Sequence, residues 1–171
     1  MTYESHDHYM QLAYSLASQS YREGGCPIGA VLVDNVSGSV LGSGSNRLVQ
    51  DGDPIAHGEM AALRAAGRMP NRHRTTMYTT LQPCFMCAGA IVQFGIPRVV
   101  VADTANAESP ETVEFLGQHG VEVIVLKPAV SDVARKCIQL TKRFRDEAPQ
   151  LWLEDWGGGA NPMTGRERRD S

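Results

Sequence analysis

The sequence predicts an α/β chain, a three-layer α/β/α sandwich around a central mixed sheet of about five strands. Three observations point there. Short β-branched runs alternate along the chain with stretches that carry apolar residues at helical spacing, the pattern of strands covered by helices. Glycine and proline turn signals fall between these stretches. The 171 residues, at roughly 150 per domain, provide for one core and little more.

The elements follow in order. Residues 6–22 place Tyr9, Ala13, Leu16 and Ala17 on one helical stripe, which stops at Gly24-Gly25. Residues 28–33 and 40–44 read as two strands joined by the turn Asn35-Val36-Ser37-Gly38. Residues 46–56 read as irregular, with Asp51-Gly52-Asp53-Pro54 as turn chemistry. Residues 57–68, rich in alanine, methionine and leucine, read as a second helix. The run 76–81 is a strand, followed at once by a helix from Cys84 that ends at Gly95, with Pro97 beyond. After a strand at 99–102, Ser109-Pro110-Glu111 reads as N-cap, first-turn proline and acidic first turn, with Gly120 closing that helix. A strand at 121–126 and a helix at 131–147, striped by Val133, Cys137, Leu140 and Phe144, complete the sandwich. Residues 157–171 have almost nothing to bury and are expected to form a flexible tail, which leaves a single domain over 1–156.

Composition narrows the function. Apolar residues are 42% and charged residues 20%, ordinary for a globular chain. No apolar run approaches the ~20 residues of a membrane span, so no membrane partner is expected. Sixteen basic against nineteen acidic residues give a net charge of −3, which argues against a nucleic-acid partner without excluding one. The first residues carry no secretory signal pattern, and four cysteines are too few for a disulfide scaffold. A cytoplasmic enzyme is the expectation.

Two segments carry the chemistry: His57-Gly58-Glu59 and Pro83-Cys84-Phe85-Met86-Cys87. Each opens a predicted helix, and in this order they match H-x-E…P-C-x-x-C, a signature of zinc deaminases. Cys84 and Cys87 stand three residues apart, so both thiols share one face of a helix's first turn. The positive end of the helix dipole there favours the thiolate that a metal requires. His57 and Glu59 diverge by about 200° around a helix and serve one site only if it lies off the helix end. His57, Cys84 and Cys87 make three ligands, and catalytic zinc keeps its fourth position for water, whose pKa it lowers to about 7. Glu59 is then the general acid and base rather than a ligand. Two other readings stand beside this one: a redox C-x-x-C pair, and a closed structural zinc site completed by Cys26, Cys137 or His73. Cys26 and Cys137 also read as buried small hydrophobes, and His6, His8 and His119 as solvated surface residues. Arg68, Arg72, His73 and Arg74 form a basic loop open to solvent or to phosphate.

At these motifs the sequence resembles the cytidine deaminase-like superfamily, and within it the fungal-type cytosine deaminases. The resemblance runs from about residue 9 to 157. It includes Glu23-Gly24-Gly25-Cys26-Pro27-Ile28-Gly29, the zinc motifs, and Pro149-Gln150-Leu151-Trp152-Leu153-Glu154-Asp155. The last of these narrows the match to the cytosine deaminase branch. It implies a homodimer with Zn2+ as cofactor that hydrolyses the exocyclic amine of a free pyrimidine base. By matching position, Asn46 and the Gly58 backbone N–H would bind the base, Asp155 would hold a polar edge of it, and Trp152 would cover the pocket. Turn chemistry is the other reading of Asn46, and plain helix packing that of Trp152 and Asp155. The chain departs from the fungal pattern at Ala107, where a clamping phenylalanine follows the asparagine, and at Gln82, which replaces a serine.

The resulting expectation is zinc-dependent deamination of a nucleobase, with cytosine to uracil plus ammonia as the leading case. Isocytosine or another pyrimidine comes next, then guanine. A tRNA or DNA editor and a catalytically silent zinc protein are the remaining alternatives.

Overall fold

The computed structural model describes residues 3–155, with side chains from His6 to Glu154. The expected tail at 157–171 lies outside the described residues. A five-stranded mixed sheet runs in the order β2-β1-β3-β4-β5. The strands are β1 (Gly29–Asp34), β2 (Val40–Ser45), β3 (Thr75–Leu81), β4 (Arg98–Asp103) and β5 (Glu122–Val125). β1 is antiparallel to both β2 and β3, whereas β3, β4 and β5 run parallel.

Alternation along the central strands sends side chains into two cores. Val31, Val33, Tyr78, Val100 and Ala102 face one side, where α1 (Tyr3–Arg22) and α6 (Asp132–Glu147) cover them with Met10, Ala13, Val133, Ala134 and Cys137. Ala30, Leu32, Met77, Val99 and Val101 face the other, under α3 (Gly58–Ala66), α4 (Phe85–Gln93) and α5 (Thr112–Gln118). Period two in the strands thus produces the three layers. No described helix is long and apolar enough to cross a membrane.

Two glycines set the height of α3 above the sheet. A Cβ at Gly42 would lie 2.3 Å from the Ala62 carbonyl oxygen, and one at Gly44 would lie 2.4 Å from the Ala61 Cβ. Spaced by two, they present one bare face of β2, and α3 rests directly on its backbone.

The structure departs from the sequence reading in several places. The irregular stretch after β2 contains a one-turn helix, α2 (Leu48–Asp51), closed by Gly52 in the left-handed conformation. Ser109 does not cap α5. Its carbonyl accepts from the Thr112 N–H, so a turn precedes a helix that begins three residues later. His6 is buried rather than solvated, and its Nδ1 shares a hydrogen bond of 2.9 Å with the Tyr78 hydroxyl. An aromatic partner 72 residues away lies beyond any local pattern. His8 and His119 are exposed, as expected.

Gly44→Val forces a branched side chain into α3 backbone. Overpacking of this kind costs about 1–3 kcal/mol, so melting temperature is expected to fall by several degrees. Because α3 carries His57, bound zinc should fall with it, and calorimetry beside elemental analysis of the same preparation checks both.

Candidate active site

The site forms where two helices begin. His57 is the N-cap of α3 and Cys84 the N-cap of α4, each with extended backbone and neither side chain used to cap its helix. Neither side chain is therefore turned back onto the first N–H groups of its own helix. Cys87 lies in the first turn of α4 and is buried. The strand β3 ends at Leu81, and Gln82-Pro83 carries the chain over to Cys84. The Gln82 amide donates to the Ser109 carbonyl (2.7 Å) and to Thr112 Oγ1 (3.0 Å), while Thr112 Oγ1 donates to the Pro83 carbonyl (2.7 Å). Gln82 thus ties the metal loop to the turn before α5.

The ligand atoms of His57, Cys84 and Cys87 lie within 4.8 Å of one another. His57 Nδ1 and Cys84 Sγ are 3.6 Å apart. Neither Cys26, Cys137 nor His73 joins this group among the described residues. Cys26 and Cys137 are buried in apolar clusters instead, and His73 is exposed. One imidazole and two thiols suit zinc, and three protein ligands match the open catalytic pattern rather than the closed four-ligand one. The two thiols perturb each other in opposite directions. A hydrogen bond with Cys87, helped by His57, holds Cys84 down to about 4. The Cys84 contact and burial push Cys87 well up.

Glu59 is 3% exposed, and Thr79 Oγ1 lies 2.9 Å from its Oε1. Burial raises its pKa and the neighbouring Cys84 adds to the rise, against the pull of His57 and Thr79. A carboxyl group in this setting has a strengthened hold on a proton, as a general acid and base requires.

The other expected site residues fall around this centre. Asn46 is buried, and its backbone N–H donates to the Ile28 carbonyl. Its Oδ1 accepts from the Leu48 N–H (3.1 Å), so turn chemistry engages the oxygen and leaves the amide NH2 as the group it can offer. Gly58 is the first residue of α3, where a backbone N–H has no carbonyl one turn earlier to bond. Trp152, on α7 (Pro149–Asp155), is buried in a cluster with Cys26, Ile28, Leu81 and Phe144, and Ala107 packs against it. Its indole N–H donates to Glu108 Oε1 at 2.7 Å. Ile28 precedes β1 and Leu81 precedes the metal loop, so this cluster adjoins the site. Asp155 ends α7, and its side chain is outside those described. Sequence reasoning missed Thr79, which looked like one more β-former in a strand, and Glu108, which nothing local marks.

The sequence profile described as "Cytidine and deoxycytidylate deaminase zinc-binding region" matches residues 3–103. The chain belongs to this deaminase family. A cytosine deaminase of Candida albicans is 42% identical over 150 residues, covering 86% of this chain and 94% of that one. A tRNA-specific adenosine deaminase of Buchnera aphidicola is 42% identical over 96 residues, 54% of this chain and 62% of that one. Among solved structures, one from work on A-to-I editing by tRNA:A34 deaminases superposes with a TM-score of 0.59 at 33% identity, covering 70% of this chain and 97% of that one. The guanine deaminase of Nitrosomonas europaea shares the fold, with a TM-score of 0.62 at 22% identity over 77% of this chain and 83% of that one. As a member of the family the chain is a zinc-dependent hydrolytic deaminase, and His57, Cys84 and Cys87 are grouped to hold the metal.

One zinc per chain is expected on elemental analysis. Replacing Cys87 by serine substitutes a poor ligand for a thiolate at a buried position and should leave the protein substantially zinc-free after dialysis, whereas Cys137→Ser should keep its full complement.

Proposed function

We propose that this chain deaminates a free nucleobase, with cytosine to uracil plus ammonia as the leading reaction, through the domain spanning 1–156. One observation carries the choice of substrate. Similarity to the cytosine deaminase extends over 150 residues, whereas the tRNA adenosine deaminase match spans 96. Trp152 being packed beside the metal loop supports the same reading. Isocytosine or another pyrimidine is the next candidate, followed by guanine. The reading includes a homodimer and a cytoplasmic location, both on the strength of the resemblance.

Each part of the site has a role in this reaction. His57 Nδ1 and the thiolates of Cys84 and Cys87 would hold zinc. When bound, the metal supplies Lewis acidity that makes hydroxide available near neutral pH. Glu59 takes one proton of the attacking water and passes it to the ring nitrogen of the base, then takes the second from the newly added hydroxyl and delivers it to the departing amine, so that ammonia leaves as the carbonyl forms. The Asn46 amide and the Gly58 N–H donate to the carbonyl edge of the base. Trp152, its ring fixed by Glu108, excludes water from one face. Asp155 is assigned a polar edge of the base.

A tRNA substrate is the second reading, favoured by the tRNA deaminase relatives. A basic groove lined by Arg68, Arg72 and His73 is present, but Gly95 and Phe94 in its wall place it at the far end of α4 from Cys84. Nine helical residues separate the two ends, about 13 Å at 1.5 Å per residue.

Ammonia release against cytosine, 5-methylcytosine, isocytosine, guanine and an RNA hairpin tests the substrate, with cytosine expected among the best. Turnover of the hairpin with no free base accepted would overturn the proposal. Glu59→Gln should lose at least ~10²-fold in kcat while retaining zinc. Asp155→Ala should lower kcat/KM severely for every good base, whereas Ala107→Phe should change only their ranking, since one apolar contact shifts selectivity by about 1–3 kcal/mol.

A further inference from the structure

β3 carries four threonines, and each is buried. Three of them do structural work. Thr75 Oγ1 donates to the Arg72 carbonyl, Thr76 Oγ1 donates to Asn35 Oδ1 (2.7 Å), and Thr80 Oγ1 accepts from the Gly29 N–H (3.0 Å). Thr79 differs because it faces Glu59. Its Oγ1 lies 2.9 Å from Glu59 Oε1 and 3.0 Å from the Leu81 carbonyl oxygen.

A hydroxyl has one proton and can accept from others. The Leu81 carbonyl only accepts. When Glu59 is a carboxylate it also only accepts, so the Thr79 proton can serve one of the two at a time. When Glu59 carries a proton, its O–H can donate to Thr79 Oγ1 while the Thr79 O–H donates to Leu81. Both protonation states of Glu59 therefore find a partner in the same hydroxyl with no heavy atom moving.

We propose that Thr79 is a positioning residue for Glu59: its hydroxyl, 2.9 Å from Glu59 Oε1 and 3.0 Å from the Leu81 carbonyl oxygen, fixes where the Glu59 carboxyl group sits at the start of α3. The inference rests on Glu59 being the proton carrier of the proposed reaction.

The full-length, zinc-loaded protein is compared as wild type, Thr79→Val and Thr79→Ser. Valine keeps the shape of the buried side chain and removes the hydroxyl; serine keeps the hydroxyl. With cytosine, Thr79→Val is expected to lower kcat by about 10- to 100-fold, the range of one hydrogen bond to a charged group. KM and zinc content should stay at wild-type values, and Thr79→Ser should recover most of kcat. Infrared difference spectra, with the Glu59 carboxyl band assigned by its loss in Glu59→Gln, should show that band moved in Thr79→Val and restored in Thr79→Ser. Wild-type kcat with an unmoved band in Thr79→Val overturns the inference. So does a loss of kcat that follows loss of zinc or of melting temperature and is not restored by serine. If the wild-type chain deaminates no base, the proposed reaction falls separately and the infrared comparison decides alone: a moved band supports the placement of Glu59 by Thr79, and an unmoved band overturns it.

Discussion

α3 lies against β2 with glycine, not side chains, between the two backbones, and the site depends on that contact. Gly42 and Gly44 leave no room for a Cβ under Ala61 and Ala62. The helix is held at a fixed height, and with it the N-cap His57 and the first-turn Glu59. Between the metal loop at the end of β3 and this helix, a displacement of an ångström would separate the imidazole from the two thiols. Because interiors are close-packed and do not deform continuously, two missing side chains on a strand fix a distance on which the chemistry relies.

The chemistry then follows from where helices begin. Cys84 and His57 occupy N-cap positions without capping, so each is turned outward from its helix by extended backbone. First-turn N–H groups of both helices point toward the same region. That region can tolerate negative charge: thiolates, a carboxylate and a developing oxyanion all benefit from it. Glu59 is buried there, and burial together with the neighbouring Cys84 outweighs that preference and makes it carry its proton more firmly, which matches a residue that must take a proton and later return it.

Much of this was legible in the sequence because the zinc signature is local. His57-Gly58-Glu59 and Pro83-Cys84-Phe85-Met86-Cys87 each place their side chains within one turn, and the three-layer fold follows from short β-branched runs such as 99–102 alternating with helical stripes. What could not be read depends on pairings distant in the chain. His6 looks like a surface residue until Tyr78 is brought to it. Gln82 looks like a substituted pocket residue, yet its amide is directed to Ser109 and Thr112. Thr79 differs from its neighbours only in facing Glu59. The short α2 was hidden because its four residues contribute no buried side chain, so no apolar periodicity marks them.

The family match takes in only part of the apolar cluster around Trp152. The family match ends at residue 103, the last residue of β4. His57, Glu59, Thr79, Cys84 and Cys87 all precede that point, and so do the glycines that hold α3. Ala107, Glu108 and Trp152 all follow it, and they meet in the wall beside the metal loop. Gln82 and Thr112 join the two parts, linking the loop that carries Cys84 to the turn that follows Ala107 and Glu108. α6 and α7 reach this cluster through Phe144 and Trp152, which pack with Leu81 at the end of β3. The grouped ligands and Glu59 therefore lie where two helices begin, within the span of the family match, whereas the apolar cluster around Trp152 is completed by segments beyond it.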